Sequence, residues 1–150
     1  MREVMTKSMA RNIFYGGSLF FILIFVGLTA QSHFYITSTS TDKATLTESV
    51  AAGKHIWEKH ACVNCHTILG EGAYFAPELG NVMIRWGVQD DPAAATEALK
   101  TWMDAMPTGI EGRRQMPQFN LSDEDYRNLA DFLLWTNKIR TQNWPPNDAG

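Results

Sequence analysis

The chain of 150 residues contains very little cysteine: only Cys62 and Cys65, three positions apart. A disulfide across two intervening residues would close too small a loop to stabilise a domain much, which argues against a disulfide-based fold. A structural zinc site needs four ligands, usually including a second Cys or His pair at close spacing. The other histidines, His33, His55 and His60, do not form such a pair. The two cysteines therefore point to a different chemistry.

Charged side chains are missing from residues 12–41, which contain no Asp, Glu, Lys or Arg. Within this gap, residues 13–30 read IFYGGSLFFILIFVGLTA, close to the roughly 20 apolar residues that span a bilayer. Tyr15 and Tyr35 near its ends are suited to be interfacial anchors. The alternative is a signal peptide cleaved after Ala30, but the apolar run is long for one. The pattern favours a retained transmembrane anchor at about 13–33.

The charges on either side of this gap differ in sign. Residues 1–30 are net positive, with Arg2, Lys7 and Arg11 against Glu3. The positive-inside rule therefore keeps the N-terminus cytoplasmic and sends the rest of the chain across the membrane. The remainder carries ten Lys and Arg against fifteen Asp and Glu. This acidic balance argues against a nucleic-acid partner, and it is compatible with docking a basic redox partner.

The two cysteines stand in Cys62-Val63-Asn64-Cys65-His66. This C-x-x-C-H spacing marks covalent attachment of a c-type haem. Two thiols at this spacing reach the vinyl groups on one edge of a porphyrin, and His66 then becomes the proximal iron ligand. A thioredoxin-like motif would need a surrounding βαβ pattern, whereas the flanking sequence looks helical. The motif predicts one covalent haem c. Because such haems are attached outside the bacterial cytoplasm, the motif agrees with the predicted topology.

Helical patterns surround the motif, and no stretch reads convincingly as a strand. A capping-box pattern at residues 45–48 predicts a helix from about Leu46 to His60, whose Gly53 would allow the last helix of the domain to pack closely. A second helix begins at Asp91-Pro92 and a third at Ser122. The predicted fold class is all-α, with a class I cytochrome c domain. The predicted boundaries are residues 1–36 for the N-terminal segment with its anchor, 37–44 for a linker and 45–150 for the cytochrome c domain.

Four methionines follow the motif and compete for the axial position opposite the histidine. They are Met83, Met103, Met106 and Met116. Met103 and Met106 belong to an amphipathic helical stripe, where packing is the expected role, and Met83 is too close to the motif to reach the opposite face easily. Met116 lies in a non-helical loop before the last helix, next to Pro117, and is the first choice. Met106, also followed by proline, is the second.

Two further features leave alternatives open. Residues 67–81 are rich in glycine and read as an ordered loop. The apolar Tyr74 and Phe75 in that loop need cover, either from the haem face or from a partner protein, and the sequence does not choose between these. Arg113 and Arg114 are either partners of haem propionates or solvated loop charges.

With these features combined, the sequence resembles the small cytochrome c subunit of bacterial nitric-oxide reductase. The resemblance is carried by CHTILGEGAYFAPELGNV from Cys65 to Val82 and by RRQMPQF from Arg113 to Phe119, and it covers essentially the whole chain. It implies a single-pass subunit of the bacterial inner membrane with its haem domain in the periplasm. Such a subunit takes electrons from a periplasmic donor such as a small cytochrome c or a cupredoxin. It passes them to a large catalytic subunit with haem b and a haem b3–non-haem iron centre, where nitric oxide becomes nitrous oxide.

The resemblance also implies roles for particular residues. The axial pair falls on His66 and Met116, and the backbone carbonyls of Gly72 and Tyr74 help bind calcium at the interface with the large subunit. Nothing in the sequence supplies acid–base or nucleophilic machinery, so no catalytic site is expected in this chain. The competing functions are a stand-alone membrane-anchored electron shuttle, a subunit of another haem–copper-type oxidase, and a haem sensor. A filled second axial position counts against the sensor, and the apolar loop counts against the free shuttle.

Overall fold

The N-terminal part of the molecule is one long helix. The computed structural model describes residues 5–142, and its contacts divide the chain into two units between Ser40 and Thr41. Helix α1 (Lys7–Tyr35) begins after Thr6, whose side chain accepts a hydrogen bond from the Met9 amide at 3.3 Å. It continues into a π-helical turn at Ile36–Ser40. At 1.5 Å per residue, its 29 residues extend about 44 Å, enough to cross a hydrocarbon core of roughly 30 Å.

No side chain of α1 is buried within the described structure. This is the state expected of an apolar helix whose surroundings are lipid rather than protein. The helix and its π-helical extension, Lys7–Ser40, are long and apolar enough to cross a membrane. Residues 5–142 therefore contain one candidate membrane span, which lies near the N-terminus.

The second unit is mostly helical, as the sequence predicts. Its elements are, in order, a 3-10 turn (Lys43–Thr45), helix α2 (Glu48–Lys59), a 3-10 turn (Cys62–Asn64), strands β1 (Thr67–Ile68) and β2 (Glu71–Gly72), and helices α3 (Val82–Arg85), α4 (Pro92–Asp104) and α5 (Asp123–Thr136). Strands β1 and β2 form an antiparallel hairpin. Neither this hairpin nor the single-turn helix α3 was predicted, because segments of two to four residues are too short to show a hydrophobic period.

The predicted capping box at the start of α2 is wrong by two residues. The N-cap is Thr47, whose side chain accepts from the Val50 amide at 3.3 Å. Thr45 lies in the preceding 3-10 turn, where its hydroxyl donates to the Asp42 carbonyl at 2.7 Å and accepts from Trp135 Nε1 at 3.1 Å. Both threonines suit an N-cap, and the tertiary contact with Trp135 decides which of them caps the helix.

Helices α2 and α5 cross at Gly53, as predicted. A side chain at Gly53 would collide with the backbone carbonyl of Asn128 and approach Phe132 Cβ to 2.7 Å, so only glycine permits this spacing. Ser49, one turn earlier, places its hydroxyl 2.7 Å from Asn128 Oδ1 and 2.5 Å from Asp131 Oδ2. The crossing therefore combines close backbone packing with polar contacts at its edge.

Helices α4 and α5 begin where the sequence predicts. Asp91 caps α4 by accepting from the Ala93 and Ala94 amides at 3.0 and 3.1 Å. Ser122 and Asp125 form a complete capping box at the start of α5. The amphipathic stripe that the sequence predicts on α4 also includes Leu99 and Trp102. It is only partly correct, because Leu99 and Met103 are buried whereas Trp102 is 51% exposed. The predicted packed tail at Trp144-Pro145-Pro146 lies outside the described residues.

The core lies between α2, α4 and α5. Its buried hydrophobic residues are Val50, Ile56, Trp57, Val82, Met83, Ala95, Leu99, Met103, Tyr126, Leu129, Ala130, Phe132, Leu133 and Leu134. Met83 is completely buried and Met103 is 6% exposed. Both of these methionines therefore have a packing role. The packing of α2 against α5 fixes the position of the segment that follows α2.

Candidate functional site

The C-x-x-C-H motif forms a tight turn directly after α2. Ala61 adopts a left-handed conformation with φ of 52°, which ends the helix and redirects the chain. The carbonyl of Cys62 then accepts hydrogen bonds from the amides of both Cys65, at 3.1 Å, and His66, at 2.9 Å. This turn holds both thiols and the imidazole within one short, hydrogen-bonded segment.

A hydrogen bond at Nδ1 orients the imidazole ring of His66. Its Nδ1 lies 2.8 Å from the carbonyl oxygen of Pro77. Because a carbonyl only accepts hydrogen bonds, Nδ1 carries the proton and Nε2 keeps a free lone pair. A hydrogen bond from the second ring nitrogen is the usual support for a metal-binding histidine. The structure therefore prepares Nε2 of His66 as a ligand.

One cavity of about 290 Å³ contains the four predicted haem residues, Cys62, Cys65, His66 and Met116. The other residues that line it are His60, Ala61, Asn64, Phe75, Ala76, Arg114, Gln115, Pro117 and Phe119. The lining is dominated by apolar and aromatic groups, as expected for a site that holds a large planar apolar ligand with a few placed polar atoms. Two thiols, an imidazole nitrogen and a thioether sulfur are the set that a c-type haem requires, so the residues present fit the group.

The thiols are free and half-buried. The pKa of Cys62 is raised to about 11, mainly by burial; a backbone hydrogen bond partly opposes this rise, and the nearby Cys65 makes a smaller contribution to it. In the folded chain Cys62 is therefore a neutral thiol at neutral pH.

The loop that carries Met116 is organised by side-chain amides. Gln115 Nε2 donates to the carbonyls of Ile110, at 2.7 Å, and Arg113, at 3.1 Å. Gln118 Nε2 donates to the Met106 carbonyl at 3.4 Å. Met106, the second choice for the axial ligand, does not line the cavity. The geometry thus favours Met116 for the position opposite His66.

Two aromatic residues line the cavity beside the predicted haem residues. Phe75, for which the sequence left open cover by the haem face or by a partner protein, lies under the guanidinium of Arg114, whose Cζ is 5.1 Å from the ring centroid. Phe119 was not singled out as a site residue, and it makes an edge contact with His60, with ring centroids 5.0 Å apart. Nothing in the local pattern distinguishes Phe119 from an ordinary loop aromatic. Arg114 lines the cavity, whereas Arg113 does not.

The two residues predicted to contribute calcium-binding carbonyls lie outside this cavity. Gly72 ends β2 with φ of 124°, and a side chain there would collide with the His66 carbonyl and approach the Val63 carbonyl to 3.1 Å. Tyr74 is 70% exposed, and its neighbour Phe75 is 53% exposed. Phe75 also lines the cavity, whereas Tyr74 does not, so the Tyr74 ring presents an apolar surface away from the cavity.

Comparison with known proteins fits this geometry. Residues 50–137 match the family model described as cytochrome c. Over all 150 residues, and over the whole of each relative, the chain is 70% identical to the C subunit of nitric oxide reductase from Paracoccus denitrificans. The corresponding identity is 64% for the homologous chain of Cereibacter sphaeroides and 50% for that of Stutzerimonas stutzeri, both of which carry the same name. The chain belongs to the family of nitric oxide reductase C subunits.

Membership of this family confirms the resemblance drawn from the two loop motifs. The cytochrome c domain implies a haem c cofactor. It fits an electron-transfer haem subunit, and the mostly helical fold with one apolar N-terminal helix agrees with the predicted fold class.

Proposed function

We propose that this chain is the electron-entry subunit of a membrane nitric oxide reductase and carries one covalent haem c in the cavity described above. The observation that carries the proposal is the convergence of Cys62, Cys65, His66 and Met116 on that cavity. The relatives are each named as the C subunit of a nitric oxide reductase, and this shared name supports the reaction that the complex performs.

Each of the four residues has a separate task in this proposal. Cys62 and Cys65 would hold the group through thioether bonds, and Nε2 of His66 and the sulfur of Met116 would bind the iron. When bound, the haem would supply one-electron chemistry between ferric and ferrous iron, and a methionine ligand would raise its potential. The aromatic lining limits access of water. With both His66 and Met116 on the iron, nitric oxide would find no open position there, and the chain would need no catalytic site of its own.

The topology follows from the charges around α1. Lys7 and Arg11 stay on the cytoplasmic side of the bacterial inner membrane, and the haem domain lies in the periplasm. There it accepts electrons from a small periplasmic cytochrome c or a cupredoxin. It passes them to the large catalytic subunit that contains haem b and haem b3, which reduces nitric oxide to nitrous oxide.

The loop at residues 70–80 is proposed to contact that large subunit. The exposure of Tyr74, which does not line the haem cavity, supports this, since a free electron shuttle gains nothing from presenting that ring to water. The carbonyls of Gly72 and Tyr74 are proposed to contribute to a calcium site at this interface. Calcium takes backbone carbonyl oxygens among its ligands, and Gly72 and Tyr74 both lie on the exposed part of this loop.

The experiment replaces Tyr74 by glutamate and, as a matched control, the exposed Trp102 of α4 by glutamate. We expect Tyr74→Glu to keep the haem spectrum, because the side chain lies outside the cavity, while co-purification with the large subunit in mild detergent and nitric oxide turnover both fall at least about tenfold. Trp102→Glu should behave like the wild type in both assays. If the wild-type chain leaves the membrane alone, and its deletion does not change nitric oxide consumption by membranes, a stand-alone membrane-anchored shuttle is the correct function.

A further inference from the structure

The buried carboxylate of Glu78 has no role in the site as described so far. We propose that Glu78 is a positioning residue for the axial histidine: its carboxylate, through its reach rather than its charge, holds the Pro77 carbonyl against His66. The inference rests on the proposed function in that His66 is taken as the iron ligand. It assigns a task to a residue that touches neither the haem cavity nor the iron.

Glu78 is 4% exposed, yet no Lys or Arg side chain is recorded within ion-pair distance of its carboxylate in residues 5–142. Its partners are backbone amides instead. Oε1 accepts from Leu69 at 3.0 Å and from Gly80 at 2.8 Å, while Oε2 accepts from Gly70 at 3.5 Å. A buried carboxylate is costly unless its oxygens are satisfied by such donors. The side chain therefore joins the hairpin turn to the end of the loop.

The hairpin turn needs this support. Leu69 and Gly70 connect β1 to β2 with φ of 55° and 83°. Glycine adopts this conformation freely, but a leucine in it costs on the order of 1 kcal/mol. Such a residue persists only when its surroundings hold it. Its backbone amide is held by the hydrogen bond to Glu78 Oε1 at 3.0 Å.

Pro77 has no amide hydrogen, so its own backbone position depends on its neighbours. On one side, the Ala76 amide donates to the Cys65 carbonyl at 2.7 Å. On the other side, Glu78 is anchored twice, by its side chain and by its carbonyl, which accepts from Arg85 Nη2 at 2.7 Å. The Pro77 carbonyl lies between these two anchors, aimed at His66 Nδ1. Releasing the Glu78 side chain weakens the second anchor, which then depends on the bond between the Glu78 carbonyl and Arg85.

The hydrogen bond to Pro77 affects the electronic character of the ligand. A strong acceptor at Nδ1 raises the basicity of the imidazole, which stabilises ferric iron over ferrous iron. Weakening this bond should therefore raise the reduction potential. It should also expose the Nδ1 proton to exchange with solvent, because exchange follows local opening.

Two conservative variants distinguish the effect of the length of the Glu78 side chain from the effect of its charge. Glu78→Gln removes the charge but keeps a carbonyl oxygen where Oε1 accepts both short bonds. Glu78→Asp keeps the charge but is one methylene shorter, so it no longer reaches Leu69 and Gly80 together. The control is Glu71→Gln, which removes a charge from an exposed position on the same hairpin.

The experiment uses the full-length haem-loaded complex in detergent. It measures the reduction potential of the haem c and the exchange rate of the His66 Nδ1 proton by NMR of the reduced, histidine-labelled protein. We expect Glu78→Asp to raise the potential and to speed exchange about tenfold or more. Glu78→Gln and Glu71→Gln should keep the wild-type exchange rate. The double variant Glu78→Asp/Leu69→Gly should slow exchange again, because glycine removes the conformational cost at the turn.

Three outcomes would overturn the inference. They are an unchanged potential and exchange rate in Glu78→Asp, equally fast exchange in Glu78→Gln, and no slowing of exchange in the double variant. If Glu78→Asp does not accumulate, the double variant is compared with Leu69→Gly alone. We then expect faster exchange of the Nδ1 proton in the double variant, and equal rates would contradict the inference. If the wild type itself shows no Nδ1 proton from an iron-bound imidazole, the proposed axial role of His66 fails instead.

Discussion

The two sides of the haem cavity are built in different ways. The histidine wall, residues 62–80, is crossed by backbone hydrogen bonds, including those from Ala73 to Val63, at 3.0 Å, and from Leu79 to Thr67, at 2.9 Å. The methionine wall, residues 107–121, has no recorded backbone–backbone bond to the rest of the described chain. Its local order comes from the side chains of Gln115 and Gln118.

This difference implies that the segment carrying His66 is more stable against local opening than the segment carrying Met116. A segment with many backbone bonds and a buried anchor opens rarely, whereas one held by a few partly exposed bonds opens at low cost in free energy. In the proposed haem-loaded form, the histidine wall would present its ligand in advance, and the methionine wall would gain rigidity once Met116 binds the iron. The site would then combine a rigid half and an adaptable half.

The largest effect should come from removing the ligand of the methionine wall. Met116→Ala should abolish the weak far-red sulfur-to-iron absorption band of the oxidised protein while the covalent haem remains. Met106→Ala is the matched control. It should keep the band, and because Met106 is only half-buried, it should cost less than the roughly 2–5 kcal/mol typical of a fully buried methionine. If Met106→Ala removes the band and Met116→Ala does not, the two assignments must be exchanged.

Glycine substitutions compare the rigidity of the two walls directly. Gly72→Ala in the histidine wall combines a positive φ with a backbone collision, so we expect a loss of about 3 kcal/mol or more in the free energy of unfolding. Gly109→Ala in the methionine wall has φ of 76° but open space around it, so it should cost only about 1 kcal/mol. Denaturant unfolding of the haem-loaded protein measures both values. Equal losses would contradict the contrast between the walls.

The smallest effect concerns the end of the methionine wall, where Ser122 and Asp125 cap α5. Ser122→Ala should cost about 1 kcal/mol at neutral pH. Side-chain and backbone hydrogen bonds from Ser122 hold the pKa of Asp125 below its usual value. The stability that this carboxylate contributes is present above the unfolded-state pKa of about 3.9 and is lost as the pH falls through the lower folded-state pKa. The difference between wild type and variant should thus shrink below about pH 4. A difference that stays constant between pH 7 and 3 would rule out a contribution from the carboxylate.

The sequence predicted the elements whose signals are local. The haem motif, the close approach at Gly53 and the start of α5 at Ser122 each depend on a few adjacent residues with a specific physical requirement, and the structure contains all three. The cavity also brings Met116 to the motif, although no sequence period connects them. That prediction came from the loop context of the methionine and from the resemblance.

The parts that escaped prediction depend on tertiary contacts. Thr45 and Thr47 offer the same side chain to the start of α2, but the hydroxyl of Thr45 is engaged by the Asp42 carbonyl and by Trp135 instead. Glu78 reads as an ordinary charged loop residue, and its burial follows from amides that converge on it from both ends of the loop. Trp102 fits the helical stripe but faces outward, where it contacts Trp86 at 5.9 Å between ring centroids.

The crossing of α2 and α5 has a consequence for the order of events during synthesis. Ser49 meets Asn128 across 79 positions and Asp131 across 82, so the cysteines lie inside a loop that closes only when the last helix is present. A contact between such distant positions must overcome the entropy of the intervening chain before it gains any packing energy. The chain is synthesised from its N-terminus, so Cys62 and Cys65 are made about seventy residues before α5 is complete. Until then the domain cannot close around the two thiols. During this interval the thiols are accessible to an enzyme that attaches haem. Its length depends on how far apart α2 and α5 lie along the sequence.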